Sequence, residues 1–463
     1  MNVLFIAVDD LRTEIGCYGN KLIKTPNIDK LAAKGTVFNR AYCQQAVCSP
    51  SRTSLMTGLR PDSTKVVDLH THFRSTIPDI VTLPQHFKNN GYYARAFGKI
   101  YHGSLVDSLS WSSPNIYWRM PAYASAENLE LIAQRKKAVE GKKFANFGEW
   151  WRATAGPAYE CADVHDSVYN NGKVAKMAIE LLESNKIKQT PFFLAVGFYR
   201  PHLPFLAPKK YWDLYNEKQI PMAVNPFFPK GMPAVAGTNW DELRSYNGMP
   251  KEGDLDKTTA RKLKHGYYAC VSYTDALIGA VLDALEKEGL SQNTIVVLWG
   301  DHGWKLGEHD MWCKHTNFEI DTRAPLVCYA PTQLVGGKVT DALVEFIDVY
   351  PSLCELAGLE MPVHLQGKSF APLMDDPDLP WKDAAISQYP RGKYMGYSMR
   401  TNHYRFTQWY DRETGQVSYT ELYDHQNNDQ ENNNVARENP KKVAELSKQL
   451  KPYVKFQKIK NRQ

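Results

Sequence analysis

Asn2-Val-Leu-Phe-Ile-Ala-Val8-Asp9-Asp10 opens the chain with an unbroken apolar run that ends on two adjacent carboxylates. A half-solvated strand alternates apolar and polar residues. One that is apolar at every position must be covered on both faces, as strands are in a parallel sheet between two layers of helices. Further along the chain, runs of the same kind recur at 92–97, 192–198, 294–299 and 325–330. Helical stretches lie between them: 27–34 ending at Gly35, 82–90 with Pro84 early and Gly91 as its stop, 165–184, and 258–288 stopped by Gly289. The alternation predicts an α/β fold, a mainly parallel sheet covered by helices on both faces.

The residues just past each strand carry the chemistry. Residues 3–8 run into Asp9-Asp10, and 294–299 into Gly300-Asp301-His302-Gly303. Residues 92–97 run into Gly98-Lys99-Ile-Tyr-His102, and 192–198 into Tyr199-Arg200-Pro-His202. Ligands of open α/β sheets bind beyond the carboxyl ends of the strands. Acids, imidazoles and cations gathered along that edge build a site for a metal and an anion. Any one strand can end in a polar residue because it meets solvent, so the set of four carries the argument.

Gln44-Gln-Ala-Val-Cys48-Ser-Pro-Ser-Arg52-Thr-Ser-Leu-Met-Thr-Gly58 reads as a helix with Pro50 in its first turn and Gly58 at its end. Cys48 then sits at a helix N-terminus, where backbone N–H groups favour negative charge. Arg52, one turn on, can hold a sulfate or phosphate oxygen pair in two-point contact. Taken alone, Cys48 reads equally well as one more buried cysteine among eight (17, 43, 48, 161, 270, 313, 328 and 354).

At 463 residues the chain is long enough for two or three domains, or for one large α/β unit with an appendage. Its character changes after Pro377. Short alternating runs at 384–388, 397–400, 404–410 and 417–423 read as an antiparallel sheet. The amide-rich run 426–434 reads as a solvated loop, and 441–450 as a closing helix. The expected division is a catalytic α/β domain over 1–376 and a smaller C-terminal antiparallel sheet subdomain over 377–463.

With 43% hydrophobic and 23% charged residues the composition is globular, which excludes disordered, collagen-like and coiled-coil chains. No apolar run reaches the roughly 18 residues of a membrane span. The net charge of +6, from 56 basic and 50 acidic residues, is dispersed and argues against a nucleic-acid partner. The cysteines contain no C-x-x-C pair, so neither a structural zinc site nor a disulfide scaffold is expected. Residues 2–8 have no basic n-region or small-residue cleavage site. They read as the first strand of a mature fold whose signal peptide is missing from this sequence, with a periplasmic or secreted home expected.

Cys48-x-Pro50-x-Arg52 followed by Leu55-x-Thr57-Gly58 resembles the signature of type I, formylglycine-dependent sulfatases, a branch of the alkaline phosphatase superfamily. Val8-Asp9-Asp10-Leu11-Arg12 and Thr25-Pro26-Asn27-Ile28-Asp29-Lys30-Leu31-Ala32 fit the same family. The segments 191–202, 301–309, 387–391 and 395–401 are most similar to its iduronate-2-sulfatase branch, and Glu421-Leu-Tyr-Asp424 is a wider trait of the family. The resemblance implies an alkaline-phosphatase-like fold and hydrolysis of a sulfate ester on a sugar of a sulfated polysaccharide or oligosaccharide. A 2-O-sulfated uronate or a similar residue is the expected sugar.

It further implies that a formylglycine-generating or anaerobic sulfatase maturase oxidises Cys48 to formylglycine. A thiol has no second oxygen with which to expel the product. The hydrated aldehyde has two, one to attack sulfur and one whose deprotonation ejects sulfate. One Ca²⁺ is implied, held by Asp9, Asp10, Cys48, Asp301 and His302; carboxylate oxygens suit that ion, whereas the imidazole is unusual for it. By the same resemblance His102 takes the proton, His202 protonates the leaving oxygen, and Lys99, Lys314 and Arg52 clamp the sulfate. His315 stands where that branch has a tyrosine. Arg74, Arg200 and Arg391 are candidates for a uronate carboxylate. A phosphodiesterase or phosphonate monoester hydrolase of the same superfamily, and a non-catalytic glycan-binding relative, remain alternatives.

Overall fold

The computed structural model describes residues 1–333, 335–427 and 430–455. Strand Asn2–Val8 (β1) runs through the middle of the sheet and is buried at every position. Its side chains alternate between two apolar layers, with Leu4, Ile6 and Val8 in one and Val3, Phe5 and Ala7 in the other. That two-sided cover is why the run reads as continuously apolar.

Strands Thr36–Tyr42 (β2), Tyr93–Gly98 (β3), Phe192–Phe198 (β4), Thr294–Gly300 (β5), Leu326–Tyr329 (β6) and Lys338–Glu345 (β7) complete a sheet of order β7-β2-β6-β5-β1-β4-β3. All run parallel except β6, which pairs antiparallel with both β2 and β5. The mainly parallel sheet is as expected, with β2 and β7 added to it.

Helices Pro26–Lys34 (α1), Cys48–Thr57 (α2), Leu83–Asn89 (α3), Asn170–Glu183 (α4), Lys257–Lys287 (α5) and Val349–Ala357 (α6) flank the sheet. The first layer takes Leu31, Val174, Leu182 and Ile278 from α1, α4 and α5. The second takes Leu55, Met56, Phe87 and Leu353 from α2, α3 and α6. The helix expected over 165–184 begins only at Asn170. The His165 ring accepts from Ser167 N and turns the chain into a short 3₁₀ segment, after which Tyr169 is extended. By length and composition α5 is apolar enough to cross a membrane, but 78% of its apolar window lies inside the fold, so it is a core helix.

Strands Ala385–Arg391 (β8), Tyr394–Arg400 (β9), Tyr404–Asp411 (β10) and Val417–Asp424 (β11) form a separate antiparallel sheet. Helix Pro440–Leu450 (α7) packs on it through Leu446 and Leu450, against Ile386, Met399, Phe406 and Leu422. Ser387 Oγ donates to Cys43 O (2.6 Å) and Gln388 N to Gln44 O (2.8 Å), which ties β8 to the segment leading into Cys48. The run 426–434 is not simply a solvated loop. Glu431 is buried and receives Arg405 Nε at 2.7 Å, and Asn434 Oδ1 accepts from Leu422 N at 2.9 Å. These side chains satisfy donors that β10 and β11 would otherwise strand. Positions 428 and 429 of that run lie outside the described residues.

Glu421 on β11 is buried and accepts from Trp409 Nε1 and from the Tyr423 hydroxyl, both at 2.7 Å. Burial raises its carboxyl from 4.5 to about 7. The folded state therefore keeps a proton that the unfolded chain releases near pH 4.5, and stability declines as pH rises from there through about 7. At about 1.4 kcal/mol per unit the loss is on the order of 3 kcal/mol. Glu421→Gln removes this dependence, so the variant is expected to melt above the parent at about pH 8 but not at about pH 4. Paired thermal melts check it; equal melting shifts at both pH values would contradict it.

Candidate active site

The four neighbours β5, β1, β4 and β3 run in one direction, so their carboxyl ends line one edge of the sheet. They deliver, in that order, Asp301-His302, Asp9-Asp10, Arg200 with His202, and Lys99 with His102. The N-terminus of α2 brings Cys48 to the same edge. Asp10 has φ +59°, a left-handed conformation that Asp adopts more readily than most residues. This turn breaks the in–out alternation of β1 and brings both carboxylates into one cluster with Cys48. Asp10 N donates to Asp301 Oδ1 (3.0 Å) and Tyr267 OH to Asp10 O (2.8 Å), which holds the turn in place. At Gly197 a Cβ would fall 2.2 Å from Lys99 O, so only glycine lets the chain leaving β3 lie so close to β4.

All five expected metal ligands converge. Candidate ligand atoms fall into two overlapping groups, Asp9, Asp10, Cys48 and His202, and Cys48, Asp301 and His302, each within 4.8 Å. His302 Nδ1 lies 3.0 Å from Gly303 O, which places the imidazole proton there. The Nε2 lone pair then faces Cys48 Sγ at 3.3 Å, Asp10 Oδ1 at 3.4 Å and Asp301 Oδ2 at 3.6 Å. Carboxylate oxygens, an imidazole nitrogen and a sulfur that converge in this way form a donor set a divalent cation can use, and the hard oxygens suit Ca²⁺ or Mg²⁺. Burial pushes the Asp10 carboxyl up to about 8, against the opposing pull of Lys314.

Arg52 departs from its expected role. Its Nε donates to Asp301 Oδ2 (2.8 Å) and Nη2 to Asp9 Oδ1 (3.0 Å), while Nη1 donates to the carbonyls of Lys99 and Ile100. With its donors on protein partners, the guanidinium orders the carboxylates and does not offer a two-point sulfate clamp. Burial drives the Cys48 thiol well above its ordinary pKa, so as cysteine it stays protonated and a poor nucleophile.

Lys99 Nζ bonds Asp9 Oδ2 and lies 3.6 Å from Cys48 Sγ. Lys314 Nζ reaches both Asp10 oxygens (3.1 and 3.0 Å). Burial, then Lys99, push the His102 imidazole well below its ordinary pKa, and its buried Nδ1 has no hydrogen-bond partner among the described residues. His202 Nδ1 is held by Leu203 O at 2.6 Å, which leaves Nε2 facing the pocket.

Sequence reading missed Glu242. Its Oε1 lies 2.9 Å from both His202 Nε2 and Lys314 Nζ. It sits in a short four-residue helix, 72 positions from Lys314, with no motif or periodicity to mark it.

Two of the expected sugar contacts are placed elsewhere. Arg74 directs its N–H groups to Asp107, Gln85 and the carbonyls of Pro78 and Ile80, and so it braces its own loop. Arg200 is buried and donates to the carbonyls of His202 and Pro204, shaping the turn that presents His202. Arg391 and His315 do lie together. Arg391 donates to His315 O and stacks 4.8 Å over the Tyr389 ring, while His315 Nδ1 is 2.7 Å from Tyr389 OH.

A family model described as "Sulfatase" matches residues 1–359, and one described as "N-sulphoglucosamine sulphohydrolase, C-terminal" matches residues 307–460. The chain is 35% identical over 475 residues to iduronate 2-sulfatase of Mus musculus, covering 88% of this chain and 84% of that protein. Among solved structures, one in complex with its substrate D-glucosamine-2-N,6-O-disulfate superposes with TM-score 0.75 at 23% identity, covering 98% of both chains. The phosphonate monoester hydrolase of Silicibacter pomeroyi also gives 0.75, at 20% identity, over 98% of this chain and 94% of that one. At such identities these two structures establish the shared fold.

Proposed function

The chain belongs to the sulfatase family, and from that premise we propose that it hydrolyses the sulfate ester of a 2-O-sulfated uronate, or a similar sugar, in a sulfated glycan. The observation that carries the proposal is the cluster of side chains at one sheet edge. It holds the cysteine of the family signature, a cation-seeking cluster of acceptors, two lysines and two histidines.

In this reading Asp9, Asp10, Asp301, His302 and residue 48 would hold one Ca²⁺, which would supply positive charge for a bound sulfate. Oxidised by a maturase, Cys48 becomes formylglycine, whose hydrate supplies the nucleophile. Lys99 and Lys314 receive sulfate oxygens and stabilise the charge that develops on them. His202, with Nδ1 pinned on Leu203 O, presents Nε2 to the leaving oxygen. His102, kept neutral by burial and Lys99, has a ring nitrogen free to take a proton, though the same surroundings weaken it as a base. Arg52 is a positioning residue that fixes Asp9 and Asp301. Arg391, next to His315 on the C-terminal sheet, is the cation best placed for a uronate carboxylate. The relatedness to iduronate 2-sulfatase supports the choice of sugar. We place the enzyme in the periplasm or outside the cell, where sulfated glycans are met.

The test is sulfate release by protein co-expressed with a maturase, assayed with Ca²⁺, with Mg²⁺ and with a chelator. The panel holds uronate-2-sulfate oligosaccharides, other sulfated glycans and a phosphonate monoester. Release from the 2-O-sulfated uronate that chelation abolishes and Ca²⁺ restores is expected. Hydrolysis of the phosphonate alone, with Cys48 shown to be oxidised, would replace the reading by a phosphonate hydrolase.

A further inference from the structure

Glu242 has no part in the chemistry above, yet its carboxylate stands among the groups that would bind the substrate anion. One oxygen, Oε1, lies 2.9 Å from Lys314 Nζ and 2.9 Å from His202 Nε2. The other, Oε2, lies 3.5 Å from His315 Nε2. Lys314 directs its remaining contacts to Asp10, and His202 Nδ1 is held by Leu203 O. Lys314 and His202, two of the groups that face the ester, therefore meet the same carboxylate oxygen, and a sulfate that binds both of them displaces it.

The exchange is chemically even. A carboxylate and a sulfate each present neighbouring acceptor oxygens and negative charge, so one replaces the other without leaving Lys314 or His202 unpaired. Glu242 is also placed to yield. It lies in the four-residue helix Asp241–Arg244, outside the sheet, and its side chain is 18% exposed. Rotation about its side-chain bonds carries the carboxylate aside while the backbone stays in place.

We propose that Glu242 is the resident anion of the sulfate seat. It fills the seat when substrate is absent, gives way to the ester, and returns to expel the inorganic sulfate left after cleavage. A tethered carboxylate competes at high effective concentration. An ester meets that competition with the added contacts of its sugar, whereas free sulfate has only the seat. Glu242 thereby lowers the affinity for product more than for substrate. This inference rests on the sulfatase reading of the site.

Two measurements with Ca²⁺ present test it. Inorganic sulfate is titrated by calorimetry into turnover-blocked Cys48→Ala protein, with and without Glu242→Gln. The inhibition constant of sulfate is also measured on the matured enzyme. Glu242→Gln is expected to bind sulfate about tenfold more tightly, about 1.4 kcal/mol, and its progress curves to bend earlier as product accumulates. Damage to the pocket would weaken sulfate binding, so a gain in affinity separates displacement from a structural role. Glu242→Asp, which keeps the charge but is one methylene shorter, is expected to fall between the two and serves if the glutamine variant folds poorly. Sulfate affinity that is unchanged or weaker in both variants, with parental melting, overturns the proposal. Sulfate release by the parent enzyme is read separately, so a parent active on esters alongside that result overturns only the role of Glu242.

Discussion

Cys48→Ala abolishes sulfate release by matured protein, with a fall on the order of 10⁴ to 10⁶ in rate, the range seen when an enzyme loses its covalent nucleophile. The fold is expected to survive, because Cys48 opens α2 as its first residue and alanine is a good helix former there. Melting temperatures within a few degrees of the parent, with no detectable turnover, are the anticipated pair of results. The unoxidised parent is expected to be equally inert, because burial holds its thiol in the protonated form. Residual activity in Cys48→Ala above about one per cent would remove residue 48 from the nucleophile's place.

Arg52→Ala, four residues along the same helix, acts on stability first. The guanidinium is fully buried between Asp9 and Asp301, and its loss leaves two carboxylates facing each other without their shared cation. Breaking a buried ion pair in this one-sided way costs on the order of 3–5 kcal/mol. Arg52→Lys is expected to recover little, since one ammonium cannot span both carboxylates and the carbonyls of Lys99 and Ile100 together. Urea denaturation gives the loss directly. In a double-mutant cycle, Arg52→Ala combined with Asp9→Asn should cost less than the sum of the single changes, because the asparagine no longer strands a charge. Full additivity would mean that Asp9 and Arg52 do not act as a pair.

The sheet was most legible where burial was two-sided. The runs around β1, β4 and β5 are apolar throughout because each face meets helices, and the acids and histidines behind them stood out against that background. Strand β2 gave no such signal. Thr-Val-Phe-Asn-Arg-Ala-Tyr carries Asn39 and Arg40 at half-buried positions in its middle, which breaks the run. Strand β7 lies at the sheet edge and exposes part of its length, so its pattern is mixed. The anion pocket was legible only as far as its motifs reached. Glu242 escaped because its partners lie about 40 and 72 positions away in the chain, and Arg74 and Arg200 misled because their partners include backbone carbonyls, which carry no letter in a sequence. Arg52 was found by its motif and misread in its contacts for the same reason.

Between the two sheets, Glu319 of the main body reaches Arg400 and Arg405 of the smaller one, and Arg405 also holds Glu431. Pulling the small sheet away would part Glu319 from both guanidiniums and leave Arg400 without its carboxylate, while Arg405 would keep Glu431. It would also break the backbone link from Gln388 to Gln44, four residues before Cys48. Partial opening therefore loses two ion pairs and this backbone link together, so the two sheets are expected to melt as one unit. The strand that bears Arg391 and the helix that bears Cys48 are expected to be kept or lost together, so molecules that retain one without the other are not expected to accumulate.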